Sequence, residues 1–365
     1  WWGIGASILE QKRVFEETGK NYSWNMIGTN TTDASATPNH TPLYFDNPYW
    51  SRYNNYTSDS RNRSFGNINL TYDFNQHLNV LGRVTYDNVN EVREQRANVA
   101  VGTGSKGANL FDDQPGYEVQ NRIRSEYNYD LIVNYRKKIG EHLDLNALFG
   151  YNLRVQNWDH TTVKTNGGLN FPDIFSLANS VNPITASDVL QYDAQKKVDG
   201  LYSSLSFGLN DTYFVEGTYR RDRSSALPIE NNAYGYYSMS GSIILSNLIK
   251  SSSLTFAKLR ANHAVVGNDT DPYNVFRSYN INAARNGSAS ASNPSVLPNQ
   301  FLKAESTTEN EIGLEMNLFD GRLSFDFSIY NKTTDNLLTE LDVSPSTGFS
   351  AINTNAGSIK NNGFE

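Results

Sequence analysis

The chain has 365 residues, enough for two or three ordinary domains or for one large barrel. It contains no cysteine, which excludes disulfides, thiolate metal sites and a cysteine nucleophile. Its formal charge of −7 speaks against nucleic-acid binding, which needs a basic face.

Mean hydropathy is −0.56, and nowhere do about 18 apolar residues run together, so no transmembrane helix is predicted. A β-barrel remains open to such a chain, because it shows lipid only alternate residues. The 22 Tyr and 18 Phe against 3 Met, among many Asn, Ser, Gly and Thr, suit strands and long polar loops better than helices. The start, Trp1-Trp2-Gly3-Ile4, has no basic region or cleavage site, so no signal peptide is predicted. Both ends fall in mid-pattern, as in a piece of a larger protein.

In chain order, residues 3–12 are expected as one strand of poor alternation. Residues 14–64, with Pro38, Pro42 and Pro48, are expected as a long loop. Residues 66–74 alternate well, with Ile68, Leu70, Tyr72 and Phe74 against Asn67, Asn69, Thr71 and Asp73. After Asn75-Gln76-His77 comes a partner with Leu78, Val80, Gly82, Val84 and Tyr86 on one side, and Asn79, Arg83, Thr85 and Asp87 on the other. Residues 89–125 are again loop-like.

The strongest signal is 126–155. In its first arm Tyr127, Tyr129, Leu131, Val133 and Tyr135 alternate with Asn128, Asp130, Asn134 and Arg136; Ile132 alone is out of step. In its second arm Leu143, Leu145, Ala147, Phe149, Tyr151, Leu153 and Val155 alternate with Asp144, Asn146, Asn152 and Arg154. Strand side chains alternate faces, so each arm has one apolar and one polar face, and a short polar turn joins them as a hairpin. Each arm has the length of a tilted membrane crossing, about 9–11 residues.

The same hairpin recurs at 201–209 with 213–219, at 237–245 with 254–265, and at 312–318 with 323–329. Asn210-Asp211 and Asp320-Gly321 are good short turns. A last strand is entered within 355–365. Short turns thus alternate with long segments, 14–64, 89–125, 156–197, 223–235, 266–307 and 334–356. That order suits an outer-membrane barrel with short periplasmic turns and long extracellular loops. The predicted fold is all-β, about 11–12 strands forming part of one antiparallel transmembrane β-barrel domain over residues 1–365.

The polar faces carry Asn69, Asp73, Arg83, Asp87, Asn128, Asp130, Arg136, Asp144, Asn146, Arg154, Glu216, Arg220, Lys258, Arg260, Glu311, Glu315 and Asp326. These are expected to line the lumen, where they solvate it, contact another part of the protein or bind substrate in transit. Trp24, Trp50, Tyr53, Trp158 and Phe171 fall in the predicted outer segments, as contacts to a ligand or partner or as packing within the loops.

Signs of catalysis are weak. Gly102-Thr-Gly-Ser-Lys-Gly107 is a literal G-x-G-x-x-G, but a polar stretch and Asp112-Asp113-Gln114-Pro115-Gly116 follow it where a helix would be needed. Asp112-Asp113 and Asn268-Asp-Thr-Asp271 lack the spacing of a calcium loop. His40, His77, His142, His160 and His263 form no i,i+4 pair, and no G-x-S-x-G is present. No enzyme, cofactor or metal is predicted.

Seven segments in order resemble the barrel of the SusC/RagA family, the TonB-linked outer-membrane transporters of Bacteroidota. They are Asn47-Pro-Tyr-Trp50, Glu126-Tyr-Asn-Tyr-Asp130, Tyr219-Arg-Arg-Asp-Arg-Ser-Ser225, Lys258-Leu-Arg-Ala-Asn-His-Ala-Val-Val-Gly-Asn268, Glu311-Ile-Gly-Leu-Glu315, Tyr330-Asn-Lys-Thr-Thr-Asp-Asn-Leu-Leu338 and Asn355-Ala-Gly-Ser-Ile-Lys-Asn-Asn-Gly-Phe-Glu365. Arg223 and Ala264 stand where the family usually has glycine. The resemblance implies a barrel of about 22 strands around a plug, with a TonB box and a SusD-like lipoprotein lid. The chain would then be the middle of that barrel, without plug or TonB box.

The implied function is import of an oligosaccharide or peptide, driven through TonB, ExbB and ExbD, in an outer membrane whose lipid and lipopolysaccharide surround the barrel. Two alternatives stay open. One is a passive porin or a structural subunit of a secretion or adhesion assembly. The other is a soluble secreted β-protein that binds glycans through loop aromatics.

Overall fold

The computed structural model describes residues 7–24, 28, 42, 45–99 and 115–365. Gly102–Gly107, Asp112-Asp113, His40, Pro38 and the first four residues lie outside these.

Eleven strands form one antiparallel sheet in chain order. They are β1 (Tyr56–Asp73), β2 (Leu78–Ala97), β3 (Gly116–Ile139), β4 (Leu143–Lys164), β5 (Val189–Leu209), β6 (Tyr213–Ser224), β7 (Ala233–Ile244), β8 (Leu254–Asn268), β9 (Glu305–Leu318), β10 (Leu323–Asp335) and β11 (Ser358–Phe364). Each strand pairs with the next, and β1 and β11 are the edges. Among the described residues no helix is long and apolar enough to cross a membrane, which says nothing against crossing by strands.

Short turns close one end of the wall. Asn210 and Asp211 both take left-handed φ values, 53° and 52°, the conformation of a type I′ turn whose twist matches the flanking strands. Phe319, Asp320 and Gly321 turn β9 into β10 in the same region of φ, at 56°, 56° and 80°. Between β7 and β8 a one-turn helix, Leu245–Leu248, replaces the tight turn.

The pairing register sorts the side chains. Directly opposed residues share a face, and one face carries the line Leu70, Gly82, Leu131, Tyr151 and Leu201. The other carries Asn69, Arg83, Asp130, Asn152, Gly200 and Asp222. The apolar face is open: Leu131 is 53% exposed and Phe149 55%. These side chains do not face an enclosed protein interior. Ile132 lies on the polar face, opposite Leu81 and Gly150.

The structure corrects the ends of the elements. The N-terminal segment is not a strand. Residues Ile8–Thr18 form a helix, α1, because Ser7 caps its first turn by accepting from the Glu10 N–H at 3.3 Å and Gly19 ends it at φ 65°. Arg13 reaches Glu17 one turn on, at 2.8 Å. A second helix, α2 (Pro48–Asn54), starts with Asn47 as cap and Pro48 in the first turn.

The long segments are shorter than expected because the strands run on. Strands β1 to β5 have 18, 20, 24, 22 and 21 residues, about twice a membrane crossing. In their far halves the outward line becomes Ser64, Asn88, Ser125, Asn157 and Gln195. Both faces are then mostly polar, with Val92, Val119 and Ile123 among the exceptions, so the period of two fades while the backbone ladder continues. Short strand pairs fill three of the remaining connections: Asn166–Leu169 with Ser180–Asn182, Asn280–Arg285 with Ser288–Ser292, and Leu338–Asp342 with Ala351–Asn355. Neither Arg223 nor Ala264 disturbs its strand; both pair in regular register.

A wall one layer thick has little interior. The buried apolar cluster, Leu227, Val275 and Leu302, lies under the long connections, with Tyr234, Ala304 and Leu338 packed against it.

Candidate functional site

All seventeen polar-face residues predicted from alternation fall on one face of the sheet by register. The sheet curls toward that face. A cavity of 590 Å³ is lined by Arg83, Asp130, Arg154, Tyr202, Arg220, Tyr234 and Asn268, from seven successive strands, β2 to β8. Side chains from the first and last of seven successive strands share a cavity only where the sheet is concave, so the apolar face is convex.

The concave face is a set of charge pairs. Arg83 meets Asp130 at 2.8 Å, and the Asn152 amide donates to the second Asp130 oxygen at 2.8 Å. Arg220 Nε donates to Asp222 at 2.7 Å, the Tyr236 hydroxyl also donates to Asp222, and the Arg220 guanidinium lies 5.3 Å from the Tyr202 ring centre. Arg260 bridges Asp326 at 2.8 Å and Glu311 at 3.4 Å. Nearer the long connections Glu91, nine-tenths buried, sits among Arg61, Arg93 and Arg122 at 3.3, 3.4 and 3.7 Å. The Tyr202 ring lies over Gly150, where an added Cβ would come within 2.2 Å of it.

A second cavity, of 800 Å³, opens beside the first toward the long connections. Arg154 and Asn268 line both. Lys196 on β5 crosses to Asp269, just past β8, at 2.7 Å, and donates to the Thr270 carbonyl at 2.9 Å. Both side chains are about nine-tenths buried. This pair pins the 269–304 connection onto the wall. It also occupies Asp269, one of the two acids in Asn268-Asp-Thr-Asp271. Among the described residues no three His, Asp or Glu side chains come together as a metal would need.

The 165–188 connection is closed by Asp188. Its carboxylate accepts from the Thr185 N–H at 2.8 Å, the Thr185 hydroxyl at 2.7 Å and the Asn166 amide at 3.0 Å. These donors, led by the backbone N–H, hold its pKa below the usual carboxylate range.

The loop aromatics divide. Trp50 is only 5% exposed, in α2, so its ring face is not open to a ligand; the expectation of a surface contact there is corrected. Trp158 is in β4 rather than a loop, and it lines the larger cavity. Tyr53 is exposed and stacks on Phe15 at 5.5 Å, Trp24 stacks on Phe45 at 6.4 Å, and Phe171 is exposed.

Sequence reasoning missed Lys196, Asp222, Tyr234 and Tyr236, and it weighed Asp269 only as a calcium ligand, not as the partner of Lys196. Carrying the period of two past the last apolar residue would have found Asp222, in phase with Arg220, and Lys196, in phase with Gly200 and Tyr202. Asp269 lies beyond the strand, where no periodicity reaches.

A curved antiparallel sheet, open and apolar on its convex side and charged on its concave side, is the wall of an outer-membrane β-barrel. The family model described as TonB dependent receptor-like, beta-barrel matches residues 10–365, and the chain belongs to that family. TonB-dependent receptor P39 of Formosa agariphila is 27% identical over 271 residues, covering 70% of this chain and 26% of that protein. TonB-dependent receptor P3 of the same organism is 25% identical over 350 residues, 93% of this chain and 34% of that protein. The chain thus spans a quarter to a third of these relatives. The structure of the RagAB peptide transporter shares the fold, with a TM-score of 0.72 at 19% identity over 94% of this chain and 36% of that one. The chain is an integral part of the bacterial outer membrane.

Proposed function

We propose that this chain forms about half the wall of a barrel of about 22 strands that imports an oligosaccharide or peptide when TonB, energised by ExbB and ExbD, pulls on a plug. The barrel performs no chemistry on its cargo. The observation that carries this reading is the concave charged face with its two adjoining cavities. Arg154, Glu216, Lys258 and Glu315 on this face have no opposite charge within 4.0 Å among the described residues, which suits contact with a plug or with cargo. The long connections face outward from the cell and meet a SusD-like surface lipoprotein. Trp158, Tyr53 and Phe171 supply ring surface for cargo or lid. Lipid and lipopolysaccharide cover the convex face.

The test uses the full-length protein in its own cells. Uptake of a labelled oligosaccharide or peptide is measured with and without TonB, and the receptor is captured to identify co-purified lipoprotein. Uptake should stop without TonB, and a surface lipoprotein should co-purify. Uptake that persists without TonB contradicts the reading and favours a passive pore.

A further inference from the structure

On the convex face the apolar band ends sharply on β5 and β6. Outward positions run Leu209, Phe207, Leu205, Ser203 and Leu201 along β5, then change to Asp199 and Lys197. Along β6 they run Tyr213, Val215, Gly217 and Tyr219, then change to Arg221 and Arg223. Three cations therefore face one carboxylate, in a chain whose net charge is −7.

Arg223 is already engaged, because its Nε and Nη2 donate to Asp199 at 3.1 and 3.2 Å. Lys197 and Arg221 are exposed, and neither has an acidic group within 4.0 Å among the described residues. Arg221 stands opposite Gly235 on β7. A Cβ at Gly235 would come within 2.9 Å of the Tyr219 hydroxyl oxygen. The phenol thus leans over the glycine and brings its hydroxyl to the notch beside Arg221.

We propose that Lys197, Arg221 and the Tyr219 hydroxyl bind the phosphorylated head group of a glycolipid in the outer leaflet. The inference rests on the orientation proposed above, with the long connections outside. The unengaged groups are hydrogen-bond donors, and two of them are cations, as phosphate oxygens require. Directly below, Leu201, Leu205 and Val215 are exposed and continue the surface on which acyl chains lie. A free anion would have no use for that surface. The competing account is that both cations simply extend their charged ends into water above the acyl layer.

The experiment takes full-length protein in detergent and counts bound lipid by native mass spectrometry. The probes are lipid A with its phosphates, dephosphorylated lipid A and phosphatidylglycerol, with inorganic phosphate as competitor. Phosphorylated lipid A should be retained about tenfold over the dephosphorylated form, in line with charge-assisted bonding. The Lys197→Gln/Arg221→Gln double variant should lose that preference. Arg322→Ala, in an exposed turn at the opposite end of the wall, should keep it.

Equal retention of the two lipid A forms, or an unchanged preference in the double variant, overturns the site and supports charges that only reach water. Preference for phosphatidylglycerol, or displacement of lipid A by inorganic phosphate alone, overturns it as well. Wild-type protein that retains no lipid of any kind overturns the outward assignment of the apolar face together with the site. Phosphate-blind lipid binding overturns the site alone.

Discussion

Leu131→Arg should destabilise the full-length barrel by about 2–4 kcal/mol, the cost of a cationic side chain on the lipid face near the bilayer midplane. Leu131 stands in the middle of the apolar face, opposite Gly82 on one side and Tyr151 on the other, and is half exposed. An arginine there must carry its charge into hydrocarbon or bend toward the interface. Asn134→Arg lies three residues along the same strand on the polar face, where the Asn134 amide donates to Asn79 at 3.0 Å. Water reaches that face, and the change should stay within about 0.5 kcal/mol. Reversible unfolding in lipid, read for both variants, checks the pair. Equal costs would undo the assignment of faces.

The second large effect is expected at Lys196. Its ammonium is buried against Asp269 and the Thr270 carbonyl, and Asp269 Oδ2 has no hydrogen-bond partner of its own. Lys196→Ala leaves that carboxylate buried without its cation, a change that costs about 3–5 kcal/mol. The loss falls on the docking of the 269–304 connection more than on the wall, because the strand ladder does not depend on this pair. Hydrogen exchange should therefore rise across Thr270 to Leu302 while β3 and β4 stay protected. Replacing both partners with apolar residues, Lys196→Met with Asp269→Leu, should recover most of the loss, since the desolvated charges disappear together. Unchanged exchange in Lys196→Ala would show that the strap is held by other contacts.

Legibility in the sequence followed the lipid boundary. Where one face meets hydrocarbon and the other water, alternation is strong, and it marks 126–136 and 143–155 together with the face of each residue. Beyond the boundary both faces are mostly polar. Ser125 opposite Asn157 gives no hint that β3 and β4 are still paired, so 89–125 and 156–197 read as loops. The first helix is illegible for a different reason. Its stability comes from the Ser7 cap and the Glu10–Arg13–Glu17 pairs, local polar signals that a search for period two passes over. The charge pairs of the polar face were half visible. Arg83 and Asp130 could be put on the same side, but their meeting depends on register, which the turn lengths and the apolar pattern set together. Lys196 with Asp269 is a contact across three strands of a curved sheet, and curvature leaves no mark in the order of residues.

This chain has no cysteine of its own, so single cysteines can be placed along it and spin-labelled in the lipid-reconstituted full-length protein, any cysteine elsewhere being replaced first. Accessibility to oxygen, which concentrates in hydrocarbon, is compared with accessibility to a water-soluble nickel complex. Labels at 131, 133, 149 and 205 should favour oxygen, and labels at 130, 134, 152 and 216 should favour nickel, alternating residue by residue along 126–136. Accessibility that varies smoothly along that stretch, or oxygen-rich labels at the charged positions, would contradict a wall with lipid on one side and water on the other.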